Sequence, residues 1–251
     1  NTLVIFIGDH GAQMARGKVT VYEGGMKVPF IARWPGQIKP GQRSRELVST
    51  IDLLPTFLDV AQVENELSGL PGESLSGVFD PASVTHWRNH LACERNCDAA
   101  FLTFPQRTIR DERYKLIWSP VRDREDPAAN YYLRHGASHW AGSLTREELT
   151  AATDGTRAGY DRWVAPPEYQ LFDLQTDPHE WNDLSSDPEY NGIQQQLIVA
   201  LREWQAQTHD PIADPDKLKM LMDENDAVVR DERRSPEGGW QYLDYLHPDN
   251  L

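Results

Sequence analysis

Cysteine is scarce in this sequence: of 251 residues only Cys93 and Cys97 carry a thiol. The pair sits in ACERNC with no second Cys or His pair beside it, which makes a poor zinc motif. Two thiols, a local disulfide and a metal pair all stay open, and the redox compartment with them. Basic residues are also few, 25 Lys and Arg against 39 Asp and Glu, for a net charge of −14. That balance argues against a nucleic-acid partner, which would ask for a basic face. A polyanionic substrate would have to be met by a local cation rather than by the whole molecule's field. No apolar run approaches the roughly 20 residues of a membrane span, so no membrane partner is expected. No secretory leader is visible, which carries no information because the sequence opens at Asn1, without Met, directly before a predicted strand; internal repeats and low-complexity tracts are lacking.

What is present suffices for a folded core. With 39% hydrophobic and 10% aromatic residues, the chain predicts one large domain, or one domain with a smaller companion. TLVIFIG (2–8) is a continuous, β-branched run and predicts a strand buried on both faces, as in a helix-covered parallel sheet. VPFIARWPG (28–36) predicts a second strand closed by Pro35-Gly36. STIDLLPTFLDVAQV predicts a helix capped by Asp52, with Leu54, Phe57, Leu58 and Ala61 as its apolar stripe.

After about residue 87 the pattern changes. AAFLTF (99–104), QRTIRDERYKLIWS (106–119) and EYQLFDL (168–174) alternate apolar with polar residues, as antiparallel strands with one wet face do. Asp111-Glu112 is the expected hairpin turn between them. Residues 120–167 form a long polar excursion, of the kind that serves as a lid. A helix is predicted after Asp187-Pro188, burying Ile193, Leu197, Leu201 and Trp204. Residues 209–251 read as a polar, wrapping tail. The expected division is 1–87, 88–211 and 212–251.

The chemistry gathers near the first strand. VIFIGDHGAQMARGKVTVYEGG places Asp9 and His10 at the carboxyl end of that strand, where α/β sheets bind their ligands. The glycines on either side let both side chains turn toward one point. A carboxylate and an imidazole can serve as part of a metal site; the alternative is an Asx turn beside a solvated His. Lys18 follows closely. A cation beside a metal is tolerated when an anion lies between them, and an ammonium suits one oxygen of a sulfate or phosphate. Arg107 could reach a substrate anion bidentately, or pair with the many local acids. His135 and His139 stand four apart in LRHGASHW, although Gly136 and Ser138 make a poor helix there. Trp34 and Trp118 read as core, and His209-Asp210-Pro211 as a helix stop.

These stretches, with GKVTVYEGGMKVPFIARWPG at their centre, resemble the sulfatase family of the alkaline-phosphatase superfamily. FPQRTIRDERYKLI, QLFDLQTDPHEWNDL and LREWQAQTHDP look most like the heparan N-sulfatase branch. The resemblance covers roughly residues 1–211 and implies an α/β fold. It would comprise the end of a mixed or parallel sheet sandwiched by helices, then a smaller C-terminal antiparallel sheet with a packed helix. It implies that Asp9 and His10 ligate calcium, His10 standing where many members have Asn. It further implies that Lys18 holds the sulfate and leaving-group oxygens, that Glu23, Gly24 and Gly25 shape the floor, and that the substrate is a sulfated sugar. The heparan branch often carries Arg near the Lys18 position and a His-rich stretch where ACERNCDAA stands here, so the substrate within the family stays open.

The family's nucleophile is a formylglycine made from the Cys of C-x-P-x-R or C-x-A-x-R. Cys97 has Phe101 in place of the Arg, and Cys93 lacks the pattern altogether. The expectation is therefore a C-terminal portion of a longer enzyme, inactive alone, whose missing N-terminal half brings the nucleophile. Within the excursion, Tyr131, Tyr132 and Trp140 are expected to cap the cleft mouth above Lys18. The rival readings are a phosphonate monoester or phosphodiester hydrolase of the same superfamily, and a non-catalytic glycan-binding relic. The family resemblance alone favours a periplasmic, secreted or lysosomal setting.

Overall fold

The computed structural model describes residues 2–63, 69–80, 82, 84–96, 99–135, 144–232, 236 and 239–240. In chain order the elements are β1 (Val4–Ile7), α1 (Glu23–Met26), β2 (Phe30–Arg33), α2 (Leu53–Val60) and β3 (Leu91–Arg95). There follow β4 (Gln106–Arg110), β5 (Tyr114–Trp118), α3 (Pro127–His135), α4 (Arg146–Thr150) and α5 (Asp154–Val164). The last are β6 (Tyr169–Asp173), α6 (Asn191–Gln207) and α7 (Pro215–Arg230). The chain divides into two compact units. One holds residues 1–9, 28–91 and 110–113; the other holds 10–27, 92–109 and 114–251.

In the first unit β1 and β2 pair antiparallel, with Val4 opposite Arg33 and Phe6 opposite Ile31. The inner face sends Phe30 against a small core of Leu75, Val78 and Trp87. The outer face is open: Val4, Phe6 and Ile31 are 50–61% exposed. The expected parallel pairing is therefore corrected to an antiparallel one, and among the described residues β1 is covered on one face. A two-stranded ribbon has one packing layer here, and an apolar run alone does not say which faces find a cover. The helix predicted after Ser49 forms, but turned over. Leu54 and Phe57 of the expected inner stripe are about half exposed, while Thr56 is buried. Asp52 explains the turn. Its carboxylate makes a bidentate pair with Arg88 and accepts from Ser49 N–H and Glu73 N–H, so the polar side of the helix start is held inward.

The second unit is built on the sheet β3-β4-β5-β6. The β4–β5 hairpin turns at Asp111, whose carboxylate accepts from Arg113 N–H at 2.6 Å. β5 and β6 are antiparallel, Leu116 opposite Leu171. The expected wet face does not exist. One face packs Leu116, Trp118 and Leu171 against Leu197 and Leu201 of α6 and Leu221 of α7. The other packs Ile117 and Phe172 against Tyr132, Leu133, Tyr160 and Trp163 of the excursion. The excursion at 120–167 is thus largely helical core rather than loop, with residues 136–143, including His139 and Trp140, outside the described set. Residues 99–104, read as a strand, contain a short 3-10 turn at Ala100–Leu102. The tail contains α7, started by Asp214, whose carboxylate accepts from Asp216 N–H and Lys217 N–H. α6 buries Leu197 and Leu201 as predicted, with Ile193 and Trp204 packed beside them.

Candidate functional site around Lys18

Residues 11–26 form a compact backbone knot. Gly11 N–H donates to Gly25 O at 2.9 Å, and Lys18 N–H donates to Ala12 O at 2.9 Å. The Thr20 hydroxyl donates to Gly17 O at 2.7 Å. Arg16 and Val19 are held at φ 60° and 66°, in the left-handed region. Close approach requires the glycines: a Cβ on Gly11 would stand 1.8 Å from Gly24 O, and one on Gly25 would stand 2.4 Å from Gly17 O.

The knot is tied to the second unit's core by charge. The Arg16 guanidinium donates to Glu180 O at 2.6 Å and to Gly159 O and His179 O, each at 3.2 Å. It also lies over the Tyr22 ring, 3.8 Å from the centroid, and over Trp181. Glu23 N–H donates to Glu180 Oε2 at 2.5 Å. The Lys115 ammonium completes the cluster, 3.1 Å from Glu23 Oε1 and 2.9 Å from Glu180 Oε1. Arg16, Lys115, Glu23 and Glu180 are each 9% exposed or less, so two buried cations face two buried carboxylates. Burial alone pushes the Lys115 ammonium down. Glu180 and Glu23 outweigh it and hold the group above its ordinary range. Burial pushes the Tyr22 phenol up, against the Arg16 charge. Sequence reading took Glu23 as structural and overlooked Arg16, Lys115 and Glu180. The available signal was Lys115 itself, a cation two residues from Ile117 on a core-facing strand face.

On this support Lys18 is half-buried. Its carbonyl accepts from the Tyr132 hydroxyl at 3.5 Å, which anchors α3 to the loop. Its ammonium has no carboxylate partner among the described residues. Asp9, following β1, and His10 are both exposed, and His10 Nδ1 lies 2.8 Å from Gly11 O. Among the described residues no group of three or more His, Cys, Asp or Glu could hold a metal ion. A carboxylate such as that of Asp9 is a donor of the kind calcium takes, and calcium takes about six to eight oxygens.

Arg107 is placed elsewhere. It is fully buried and makes a fork with Asp210, Nε to Oδ2 at 2.9 Å and Nη2 to Oδ1 at 2.7 Å. Nη1 donates to Asn96 Oδ1 at 2.9 Å, and Gln205 Nε2 donates to Asp210 Oδ2 at 2.9 Å. The guanidinium is thus directed inside the fold, and of the two readings left open for Arg107 the structure shows the ion pair. Asp210 also N-caps the 3-10 turn Pro211–Ala213, which follows the end of α6 at Gln207. Trp118 is buried, and Trp34 is half-buried against Phe79. Cys93 lies in β3 and Cys97 outside the described residues.

The fold is one found in hydrolases of sulfated sugars and of phosphonate monoesters. A protein solved in complex with its substrate D-glucosamine-2-N,6-O-disulfate matches at TM-score 0.60 and 24% identity, over 83% of this chain and 35% of that one. A phosphonate monoester hydrolase from Silicibacter pomeroyi matches at TM-score 0.52 and 20% identity, over 82% and 35%. The chain belongs to the sulfatase family, and residues 8–126 match the family described as N-sulphoglucosamine sulphohydrolase, C-terminal. It is 33% identical over 219 residues to an ulvan-active sulfatase of Formosa agariphila, covering 81% of this chain and 37% of that protein. It is 26% identical over 221 residues to N-sulphoglucosamine sulphohydrolase of Homo sapiens, covering 84% and 43%. The chain therefore spans well under half the length of these relatives. No helix among the described residues is long and apolar enough to cross a membrane.

Proposed function

We propose that the protein carrying this chain hydrolyses a sulfate ester or N-sulfate on a sugar, and that this chain contributes its sulfate-holding cation. The observation that carries the reading is Lys18. A half-buried ammonium without a carboxylate partner among the described residues, fixed on a glycine-built knot, awaits an anion. The names of the relatives support sulfated sugars as that anion's source. Asp9 and His10 would supply two donors to one calcium ion, which would polarise a sulfate oxygen when bound. The nucleophile, a formylglycine in this reading, would come from a part of the protein beyond these residues. The open faces at Val4, Phe6 and Ile31 are where the rest of an alkaline-phosphatase-like sheet and its helices would pack.

As the sulfur–oxygen or sulfur–nitrogen bond breaks, charge grows on the leaving atom. A fixed ammonium there is worth about 3–4 kcal/mol, the scale of an oxyanion donor. The test is Lys18→Ala in the intact enzyme, assayed for sulfate release from N-sulfoglucosamine and from O-sulfated sugars. We expect kcat to fall roughly 100-fold or more with a smaller change in KM. Near-normal kcat would assign Lys18 to the surface. Rates on an aryl sulfate against a phosphonate monoester separate this reading from the hydrolase suggested by the second structural likeness.

A further inference from the structure

α3 has two faces. One turns Tyr132 and Leu133 into the core and toward the Lys18 loop. The other lines a depression of about 640 Å³ through Asn130, Tyr131 and Arg134. A second depression, of about 320 Å³, shares Phe101 and Glu125 with it and runs on to Asn225 of α7. Together they make one groove, of a size that suits small-molecule and sugar ligands.

Three features of its lining ask for a ligand. Phe101 is 54% exposed, and its ring centroid lies 5.9 Å from that of Tyr131, giving an apolar platform open to solvent. Asn225 is 5% exposed, and its Oδ1 is buried without a hydrogen-bond partner. A buried acceptor left empty is costly, and a ligand hydroxyl at the groove would satisfy it. Arg134 is exposed and has no carboxylate partner among the described residues. The acids of the rim are each paired with a cation: Glu125 lies 3.9 Å from Arg146, and Asp226 lies 2.6 Å from Arg124. The charge left over at the groove is thus positive on a chain of net charge −14.

An aromatic platform, an empty amide acceptor and an uncompensated guanidinium match one chemistry, that of a sulfated sugar. We propose that this groove binds a stretch of sulfated glycan. A sugar face lies on Phe101 and Tyr131, a hydroxyl donates to Asn225 Oδ1, and a sulfate pairs with Arg134. Because the groove uses the face of α3 turned away from Lys18, it is a holding site for the polymer rather than the place of reaction. The choice of a sulfated ligand leans on the function proposed above, so binding and turnover are read separately.

The test is titration calorimetry of the intact protein in a Lys18→Ala background, using an N-sulfoglucosamine-containing tetrasaccharide and its desulfated counterpart. Phe101→Ala is expected to weaken the sulfated probe at least tenfold, and Phe101→Trp to keep Kd within threefold. Arg134→Ala is expected to weaken the sulfated probe at least fivefold and leave the desulfated one unchanged. Both side chains are exposed, so unchanged melting temperatures should accompany these losses. A Kd within twofold of the parent in both alanine variants would overturn the proposal, whatever the turnover of the wild-type enzyme. A protein that releases no sulfate yet shows the Phe101 and Arg134 losses would sink the hydrolase reading and keep the groove.

Discussion

Replacing Lys115 by Met removes one charge from a cluster whose four members are each buried. The ammonium sits 2.9 Å from Glu180 and 3.1 Å from Glu23, and its side chain is 1% exposed. Without it, two buried carboxylates face only Arg16, whose guanidinium is directed to backbone carbonyls of Gly159, His179 and Glu180. Breaking a buried pair by deleting one partner costs about 3–5 kcal/mol, mostly the penalty of the stranded charge. The stranded charge here is shared by Glu23 and Glu180, and Glu23 N–H is itself bonded to the Glu180 carboxylate. The loss should therefore loosen the turn that carries the Lys18 loop. Urea unfolding of the intact protein, followed by tryptophan fluorescence, should show the transition of this unit moved by that amount. Adding Glu180→Gln should recover part of the loss, because it removes one of the stranded charges, so the double variant should be more stable than the sum of the singles. A cost below about 1 kcal/mol for Lys115→Met, or strict additivity in the double variant, would refute the account of a coupled buried cluster.

Arg107→Gln should destabilise by about 3–5 kcal/mol, since it strands Asp210, yet leave KM for the sulfated substrate near the parent value; a KM rise without a stability loss would return Arg107 to the substrate. Lys115 and Tyr22 both titrate higher in the folded protein than in the unfolded chain. Their stabilisation is therefore whole below their unfolded values, 10.5 for Lys115 and 10.0 for Tyr22, and is lost as pH rises through the folded ones, so melting temperature should begin to fall above about pH 10. A flat profile to pH 11.5 would contradict this. Asp9→Ala should lower the metal content of the intact enzyme and its melting temperature together, as removal of calcium by chelation should; unchanged metal content would take Asp9 out of the ligand set.

Local signals in the sequence were read well and long-range ones poorly. The α6 stripe, the Asp111 turn and the Asp187-Pro188 start all depend on residues a few positions apart, and each stands where the pattern puts it. The turn at Glu23-Gly24-Gly25 was legible from its glycines, and the structure builds it as part of a tight backbone knot that carries Lys18. The polar positions of β4 and β5 were assigned to water because their partners are remote: Asp210 lies 103 residues from Arg107, and Glu23 lies 92 residues from Lys115. Alternation tells which residues share a face, not what covers it. The stripe of α2 failed for the same reason, since Arg88, 36 residues on, decides which side of the helix start is held inward. α7 could have been found: Asp214 before Pro215 is a helix start, and Leu218, Leu221 and Met222 follow at helical spacing. Its many acids masked it.

The Arg16 to Glu180 contact spans 164 residues, and this has a consequence during synthesis. At about 5–20 residues per second, a ribosome needs on the order of ten seconds or more between making one end of that contact and the other. Throughout that interval the segment around Lys18 has its glycines but not its anchors, since β5, Trp181 and Glu180 have yet to emerge. The loop around Lys18 is thus among the last of these segments to acquire its shape, although it is made well before its anchors. A nascent chain stalled before residue 180 would carry every residue of that loop and still present Lys18 from an unfixed backbone.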